Sequence, residues 1–216
     1  MKPKSVKIKV SSEIGSVSGE YMLPAKSKCI LTLAHGAGAG MHHPFLRQLS
    51  DALAERDIAT LRFNFPFTEN KKGRPDVPAV AHQTIEAAIA HAKKQTKLPL
   101  FLSGKSFGGR MSSQYLSAHH DTKAKGIIFY GFPLHAPGKP SIERAEHLKA
   151  IIEPMLFLSG TRDEFATLKL LEKVCASLPT ATLITIPDAN HSFKAGKLNT
   201  IEMLANFTRD WIKKIE

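Results

Sequence analysis

The chain has 216 residues, is 43% hydrophobic and carries a formal net charge of +11 at pH 7. This length and composition predict a single domain over 1–216 and exclude a disordered chain, and no apolar run approaches the ~20 residues of a membrane span. The basic residues are scattered and lack interleaved aromatic residues, so we expect a solvated basic surface rather than a nucleic-acid or membrane partner.

The first residues alternate apolar and basic side chains. Val6, Ile8 and Val10 alternate with lysine and serine, which predicts an edge strand over about 4–10. A second strand is predicted over about 18–24. Because no helical segment separates the two, we expect them to pair antiparallel at one edge of a sheet.

Two observations concern the compartment. The basic start has no apolar core of the kind that a secretory signal needs. Cys29 and Cys175 lie far apart in apolar segments, which indicates two reduced core thiols. We therefore expect a cytoplasmic protein.

From residue 28 onward, strand-like and helix-like segments alternate nearly without a break. Strands are predicted at 28–34, 58–65, 98–103, within 124–132, 154–159 and 181–186. Helices are predicted at 44–57, 77–96, 107–119, from 168 to about 178, at 199–215 and around 142–151. This alternation predicts an α/β fold, with a mainly parallel twisted sheet of about seven or eight strands and helices on both faces.

Gly104-Lys105-Ser106-Phe107-Gly108 matches the nucleophile elbow G-x-S-x-G. The motif stands between a predicted strand and a predicted helix, which is the setting that exposes a serine hydroxyl above a sheet. We expect strained backbone angles at Ser106, and a Cβ at either flanking glycine would collide with crossing backbone.

Two further patterns would indicate a cofactor or metal, and both are incomplete. Gly104-Lys105-Ser106 resembles the end of a phosphate-binding loop, but that loop needs a glycine where this chain has Pro99. His42 and His43 are adjacent and lack a spaced third ligand. The sequence therefore predicts neither a cofactor nor a metal ion.

A serine nucleophile needs a base to take its proton and an acid to orient that base. In a parallel sheet such groups collect in loops at the carboxyl ends of strands. His191 is the predicted base, because it alone among the ten histidines follows every plausible acid. Asp163, directly after the 154–159 strand, is the predicted acid. Glu164 and Asp188 remain possible substitutes, and an N-cap of the next helix is the alternative role for Asp163.

An attacked carbonyl oxygen becomes negative and needs N–H donors. The backbone N–H of Phe107, next to the nucleophile, is the first predicted donor. The second is expected from the loop His-Gly-Ala-Gly-Ala-Gly at 35–40, whose small residues allow close approach. Ala37 is the first choice there and Gly38 the next, while His35 is expected to orient the loop through hydrogen bonds.

Together these stretches resemble the alpha/beta-hydrolase superfamily over essentially the whole chain. The resemblance rests on 35–40, Arg-Phe-Asn-Phe-Pro-Phe (62–67), 104–110, 131–140, Gly-Thr-Arg-Asp (160–163) and Asn-His-Ser-Phe (190–193). More narrowly, the chain is similar to a small branch related to dienelactone hydrolases, with eukaryotic relatives that include testis-expressed proteins and a histone-acetyltransferase-complex subunit. The resemblance implies the triad Ser106, Asp163 and His191. Dienelactone hydrolases use a cysteine nucleophile, so their activity is not implied.

Two features bear on the substrate pocket. Only residues 132–153 lie where many alpha/beta-hydrolases insert a helical cap, so we expect little or no cap. Several basic side chains are predicted at the reactive edge of the sheet: Arg62, Arg74, Lys105, Lys139 and Arg162. They suggest the hypothesis that the substrate is an anion. The alternative is that they belong to the general basic surplus of the surface.

The sequence thus predicts a cofactor-free serine hydrolase, a monomer or dimer, acting on small esters or thioesters. The alternative is a hydrolase-fold binding or scaffold protein that has lost turnover, because a fold does not fix function.

Overall fold

The computed structural model describes residues 2–215. Its strands are β1 Lys4–Ser11, β2 Gly15–Met22, β3 Cys29–Ala34, β4 Ile58–Phe63, β5 Leu100–Lys105, β6 Ile127–Tyr130, β7 Met155–Gly160 and β8 Ala181–Ile186. They form one eight-stranded sheet in the order β1-β2-β4-β3-β5-β6-β7-β8. The pairs β1–β2 and β2–β4 are antiparallel and the others are parallel. The predicted mainly parallel sheet with an antiparallel edge is confirmed.

Helices cover both faces of the sheet, as predicted. They are α1 Pro44–Ala54, α2 Pro66–Glu69, α3 Pro78–Gln95, α4 Phe107–Ala118, α5 Leu168–Ala176 and α6 Thr200–Ile215. Apolar residues of α1 and α6 form one core cluster with the sheet, and those of α3, α4 and α5 form another on the opposite face. Cys29 and Cys175 are both buried, as expected for core thiols. No helix in the described part of the chain is long and apolar enough to cross a membrane.

The predicted helix around 142–151 is a 3-10 helix instead, over Glu143–Ala150. Only Ala145 and Leu148 are buried in it, and a spacing of three residues suits the three-residue turn of a 3-10 helix. His147 anchors this segment on α4, because its Nε2 lies 2.8 Å from Ser113 Oγ. The segment therefore packs against the side of the sheet that carries α4.

Some boundaries also differ from the sequence prediction. The helix predicted at 44–57 ends at Ala54, because the chain turns through Asp57 at a φ of 59°. The strand β5 extends to Lys105, two residues beyond its predicted end. Gly104 therefore belongs to the strand, where it pairs with Ala34 of β3, and this backbone cannot form a phosphate-binding loop.

The six parallel strands, β3 to β8, all end at one edge of the sheet, and four of the loops there carry predicted site residues. These loops follow the carboxyl ends of β3, β5, β7 and β8. They carry, in that order, the glycine-rich loop 35–40, Ser106, Asp163 and His191. The fold thus gathers residues that are up to about 150 positions apart in the chain, as expected for the carboxyl edge of a parallel sheet.

Candidate active site

Ser106 lies in the sharp turn between β5 and α4. Its φ of 50° and ψ of −115° are strained for a residue with a side chain. A Cβ at Gly108 would lie 2.6 Å from the carbonyl of Ala34, and one at Gly104 would collide with the backbone of Gly108 and Gly109. The backbone strain and the need for both glycines agree with the sequence prediction.

The side chains of Ser106, His191 and Asp163 form one hydrogen-bonded chain. His191 Nε2 lies 2.9 Å from Ser106 Oγ, and His191 Nδ1 lies 2.9 Å from each carboxylate oxygen of Asp163. An ionised carboxylate only accepts hydrogen bonds, so Nδ1–H donates to Asp163 and Nε2 is free to accept from the serine hydroxyl. The Asp163 side chain is fully buried, and the backbone N–H of Phe165 also donates to it at 2.8 Å.

The three candidate acids differ in their contacts with His191. Glu164 accepts a hydrogen bond from the backbone N–H of His191 at 3.2 Å, so it contacts the loop and not the ring. The Asp188 side chain is 79% exposed and lies 3.9 Å from Arg162. Asp163 alone of the three contacts the imidazole. Its alternative role as a helix cap is wrong, because Thr167 is the N-cap of α5.

The predicted oxyanion donors come from the glycine-rich loop and from the start of α4. Ala37 lines the cavity in front of the serine, and Phe107 begins α4. Within residues 2–215, neither backbone N–H donates a hydrogen bond to another protein group. Both donors are therefore available to a bound oxygen, and the same holds for Gly38.

His35 holds the glycine-rich loop in place. Its Nδ1–H donates to the carbonyl of Gly36 at 2.8 Å, and its Nε2 accepts from the N–H of Phe65 at 3.0 Å. The ring is completely buried, and this burial lowers the pKa of His35 to about 4. His35 is thus a neutral, fully hydrogen-bonded side chain that orients the loop, as the sequence predicted.

This buried histidine makes stability depend on pH. In the unfolded chain the imidazole has its ordinary pKa of 6.5, so the unfolded state takes up the proton first as pH falls toward 4. The stabilisation is therefore complete above pH 6.5 and decreases below it. Between pH 7 and pH 5 we expect the free energy of unfolding to fall by about 2 kcal/mol more in the wild type than in His35→Gln.

Urea denaturation of both proteins at the two pH values measures this difference. Burial also lowers the pKa of His147 to about 4. Because His147 is present in both proteins, it does not contribute to the difference between them. An equal loss of stability in the two proteins would show that His35 is not the group responsible.

An open cavity of about 300 Å³ lies over Ser106. Its apolar wall consists of Phe45, Leu46 and Phe165, and the ring of Phe165 lies 4.4 Å from that of His191. Within the described chain, no residue of 132–153 lines the cavity, which confirms that there is little or no cap. The remaining lining residues are Gly36, Ala37, Gly38, Ala39, His43, Lys105, Ser106, His191 and Ser192.

The apolar wall could not be located from the sequence. Phe45 is the second residue of α1, where its position at helical spacing indicates only a core residue. In the structure it stacks on Phe193 from the last loop, at 5.7 Å between ring centres. Phe165 has a stronger signal, because it is only two residues from Asp163 and so lies in the loop that carries the predicted acid.

Most of the cations predicted at the reactive edge lie away from the cavity. Arg62 is not on a loop: it is buried within β4, 2.8 Å from Glu20, and donates to the carbonyl of Met41. Arg74, Lys139 and Arg162 are outside the cavity lining. Of this set, only Lys105 lines the cavity. The hypothesis of an anionic substrate therefore loses most of its support.

The two adjacent histidines have separate contacts. His42 Nδ1 lies 3.7 Å from Glu20, and His43 Nδ1 accepts from the backbone N–H of Phe45 at the start of α1. Among residues 2–215, no group of three or more histidine, cysteine or acidic side chains is placed to hold a metal ion.

The sheet order and the strained serine turn after β5 are those of an alpha/beta-hydrolase. The family model described as "Alpha/beta hydrolase domain" matches residues 27–213, and the chain belongs to this family. The resemblance to the alpha/beta-hydrolase superfamily inferred from the sequence motifs is thereby confirmed.

Solved structures with a similar fold include three bacterial proteins. A dienelactone hydrolase from Anabaena variabilis has a TM-score of 0.78 and 19% identity, with 99% of each chain covered. An alpha-beta serine hydrolase homologue from Coxiella burnetii has a TM-score of 0.79 and 20% identity, covering 96% of this chain and 98% of that one. A serine hydrolase without lid from Xanthomonas campestris has a TM-score of 0.75 and 20% identity, covering 98% of this chain and 95% of that one.

Curated relatives include putative phosphoribosyl transferases from two strains of Mycobacterium tuberculosis. Each is 25% identical over 201 residues, which cover 90% of this chain and 43% of the relative. The chain thus spans less than half the length of these relatives.

Proposed function

We propose that this alpha/beta-hydrolase is a serine hydrolase that cleaves small esters or thioesters through an acyl-enzyme. The observation that carries the proposal is the unbroken chain of hydrogen bonds from Asp163 through His191 to Ser106. Each link has the donor and acceptor that nucleophilic catalysis by a serine needs.

In the first half of the reaction, Ser106 Oγ attacks the carbonyl carbon while His191 Nε2 takes the hydroxyl proton. The carbonyl oxygen becomes an oxyanion, which the N–H groups of Ala37 and Phe107 stabilise. The bond to the leaving group then breaks, and His191 gives its proton to the departing alcohol or thiol. Asp163 keeps the ring oriented and stabilises the imidazolium.

In the second half, a water molecule attacks the acyl-enzyme and transfers a proton to His191. The bond between Ser106 Oγ and the acyl carbon breaks, the carboxylic acid leaves, and the serine regains its proton. The open cavity admits water directly, so hydrolysis needs no movement of a covering segment.

The cavity supports a small, largely apolar acyl group as the substrate part that binds nearest Ser106. Its volume of about 300 Å³ is at the lower end for ligand pockets, and Phe45, Leu46 and Phe165 supply the apolar surface. The proposal does not include phosphoribosyl transfer, because the chain matches only 43% of the mycobacterial relatives that bear that name.

A fluorophosphonate probe tests the proposal without a known substrate, because it reacts with activated serines. We expect one covalent adduct on the wild type, located at Ser106 by peptide mass spectrometry and absent from Ser106→Ala. Ser192 lines the same cavity and provides the matched control, so Ser192→Ala should be labelled as the wild type is.

Turnover is then measured with p-nitrophenyl esters of increasing chain length. If the folded wild type is neither labelled nor active between pH 7 and 9, the proposal of a serine hydrolase is refuted. That result would favour the alternative, a binding protein with the hydrolase fold. An adduct at Ser192 would show that the nucleophile is misassigned.

A further inference from the structure

Lys105, which directly precedes the proposed nucleophile, has a buried ammonium group. Its Nζ is inaccessible to solvent and, within the described chain, makes no hydrogen bond. The group lies 5.5 Å from the centre of the Phe193 ring, a cation–π contact. A buried charge without hydrogen bonds is costly, so its position beside the active site needs a physical reason.

The ammonium group lies next to the Asp163–His191 pair. A Cβ placed on Gly131 would lie 3.1 Å from Lys105 Nζ, 3.4 Å from His191 Nδ1 and 3.5 Å from Asp163 Oδ2. Three polar atoms from three strand ends thus surround one small space. Gly131, at a φ of 73°, keeps this space clear of a side chain.

The charged and titratable groups that face Lys105 come from two loops. Asp163 and Glu164 follow β7, and His191 follows β8. Burial lowers the pKa of Lys105 to about 8, although the two carboxylates oppose that effect. The side chain is therefore largely an ammonium at pH 7 and largely neutral above pH 9.

We propose that Lys105 is a positioning residue whose ammonium group balances the buried charge of Asp163 and so holds that carboxylate against His191 Nδ1. This role rests on the proposed function, because it acts through the triad. The ammonium group offsets the negative charge of the Asp163 carboxylate, which is fully buried and has no access to water.

The test is the rate of labelling by the fluorophosphonate probe from pH 5 to pH 10. In Lys105→Met, which keeps the length of the stem and removes the charge, we expect labelling at pH 6 to be about tenfold slower than in the wild type, because the buried carboxylate has lost its counter-charge. The two rates should converge above pH 9, where the wild-type lysine is also neutral.

Lys139→Met is the matched control, because Lys139 is exposed and outside the cavity, and its profile should overlay that of the wild type. Lys105→Gln, a second neutral variant, should show the same loss of labelling at pH 6 and replaces the methionine variant if that one does not fold. Superimposable profiles would overturn the role of Lys105 while leaving the hydrolase proposal intact. A uniform loss at every pH would also overturn it, because it would indicate a purely structural role. Absence of labelling in the wild type would refute the hydrolase proposal itself.

Discussion

Asp163→Asn is expected to lower kcat for p-nitrophenyl acetate by about 10⁴-fold while Ser106 and His191 remain in place. An asparagine amide can donate to Nδ1, which would leave the proton on Nε2. His191 would then have no lone pair facing the serine hydroxyl, and the base step would fail. Steady-state kinetics at pH 8 measures the loss, and thermal denaturation confirms that the variant is folded.

Two matched variants make this prediction specific. Asp188→Asn changes an exposed acid that is only three residues from His191, and we expect its kcat to stay within about twofold of the wild type. Glu164→Gln changes a carboxylate that accepts from the backbone N–H of His191, so a moderate loss through the loop is expected. A loss in Asp188→Asn as large as that in Asp163→Asn would mean that the acid has been misassigned.

The second large effect is expected on stability. In Gly108→Ala the new Cβ would lie 2.6 Å from the backbone of Ala34 and from the carbonyl of His35. Backbone cannot move aside as a flexible side chain can, so α4 would have to shift away from β3. We expect a loss of about 3 kcal/mol in the free energy of unfolding, and a decrease in Tm on the order of 10 °C.

Gly73→Ala is the control for this substitution, because a Cβ at Gly73 meets no atom within 4 Å. Its Tm should differ from that of the wild type by about 2 °C or less. If both variants melted at the same temperature, the close contact between α4 and β3 would not be a determinant of stability.

The fold and the proposed triad were accessible from the sequence for a physical reason. The elbow is a local motif, and Asp163 and His191 each follow a short apolar strand whose end must lie at the same edge of a parallel sheet. Chain order and sheet geometry together were therefore sufficient to select His191 and to limit the acid to the loops after β7 and β8. The remaining ambiguity among three acids needed side-chain positions, since Asp163, Glu164 and Asp188 all lie in loops at that edge.

What the sequence could not supply depends on contacts between distant segments. Arg62 is held inside β4 by Glu20, 42 positions earlier, and neither residue has a local pattern that indicates the pair. The apolar wall depends on Phe45 meeting Phe193 from the other end of the chain. The buried state of Lys105 likewise depends on Gly131 and Phe193, which only the folded chain brings near it.

The uncovered cavity has a consequence for how a substrate would be selected. Many enzymes couple recognition to closure of a loop or domain, so that a correct substrate assembles the site and an incorrect one does not. In the described chain nothing lies over Ser106 to close, and the glycine-rich loop is already held by His35. Discrimination would then rest on the fixed shape of the pocket, which favours a tolerant enzyme for many small acyl groups over one with a single exacting substrate.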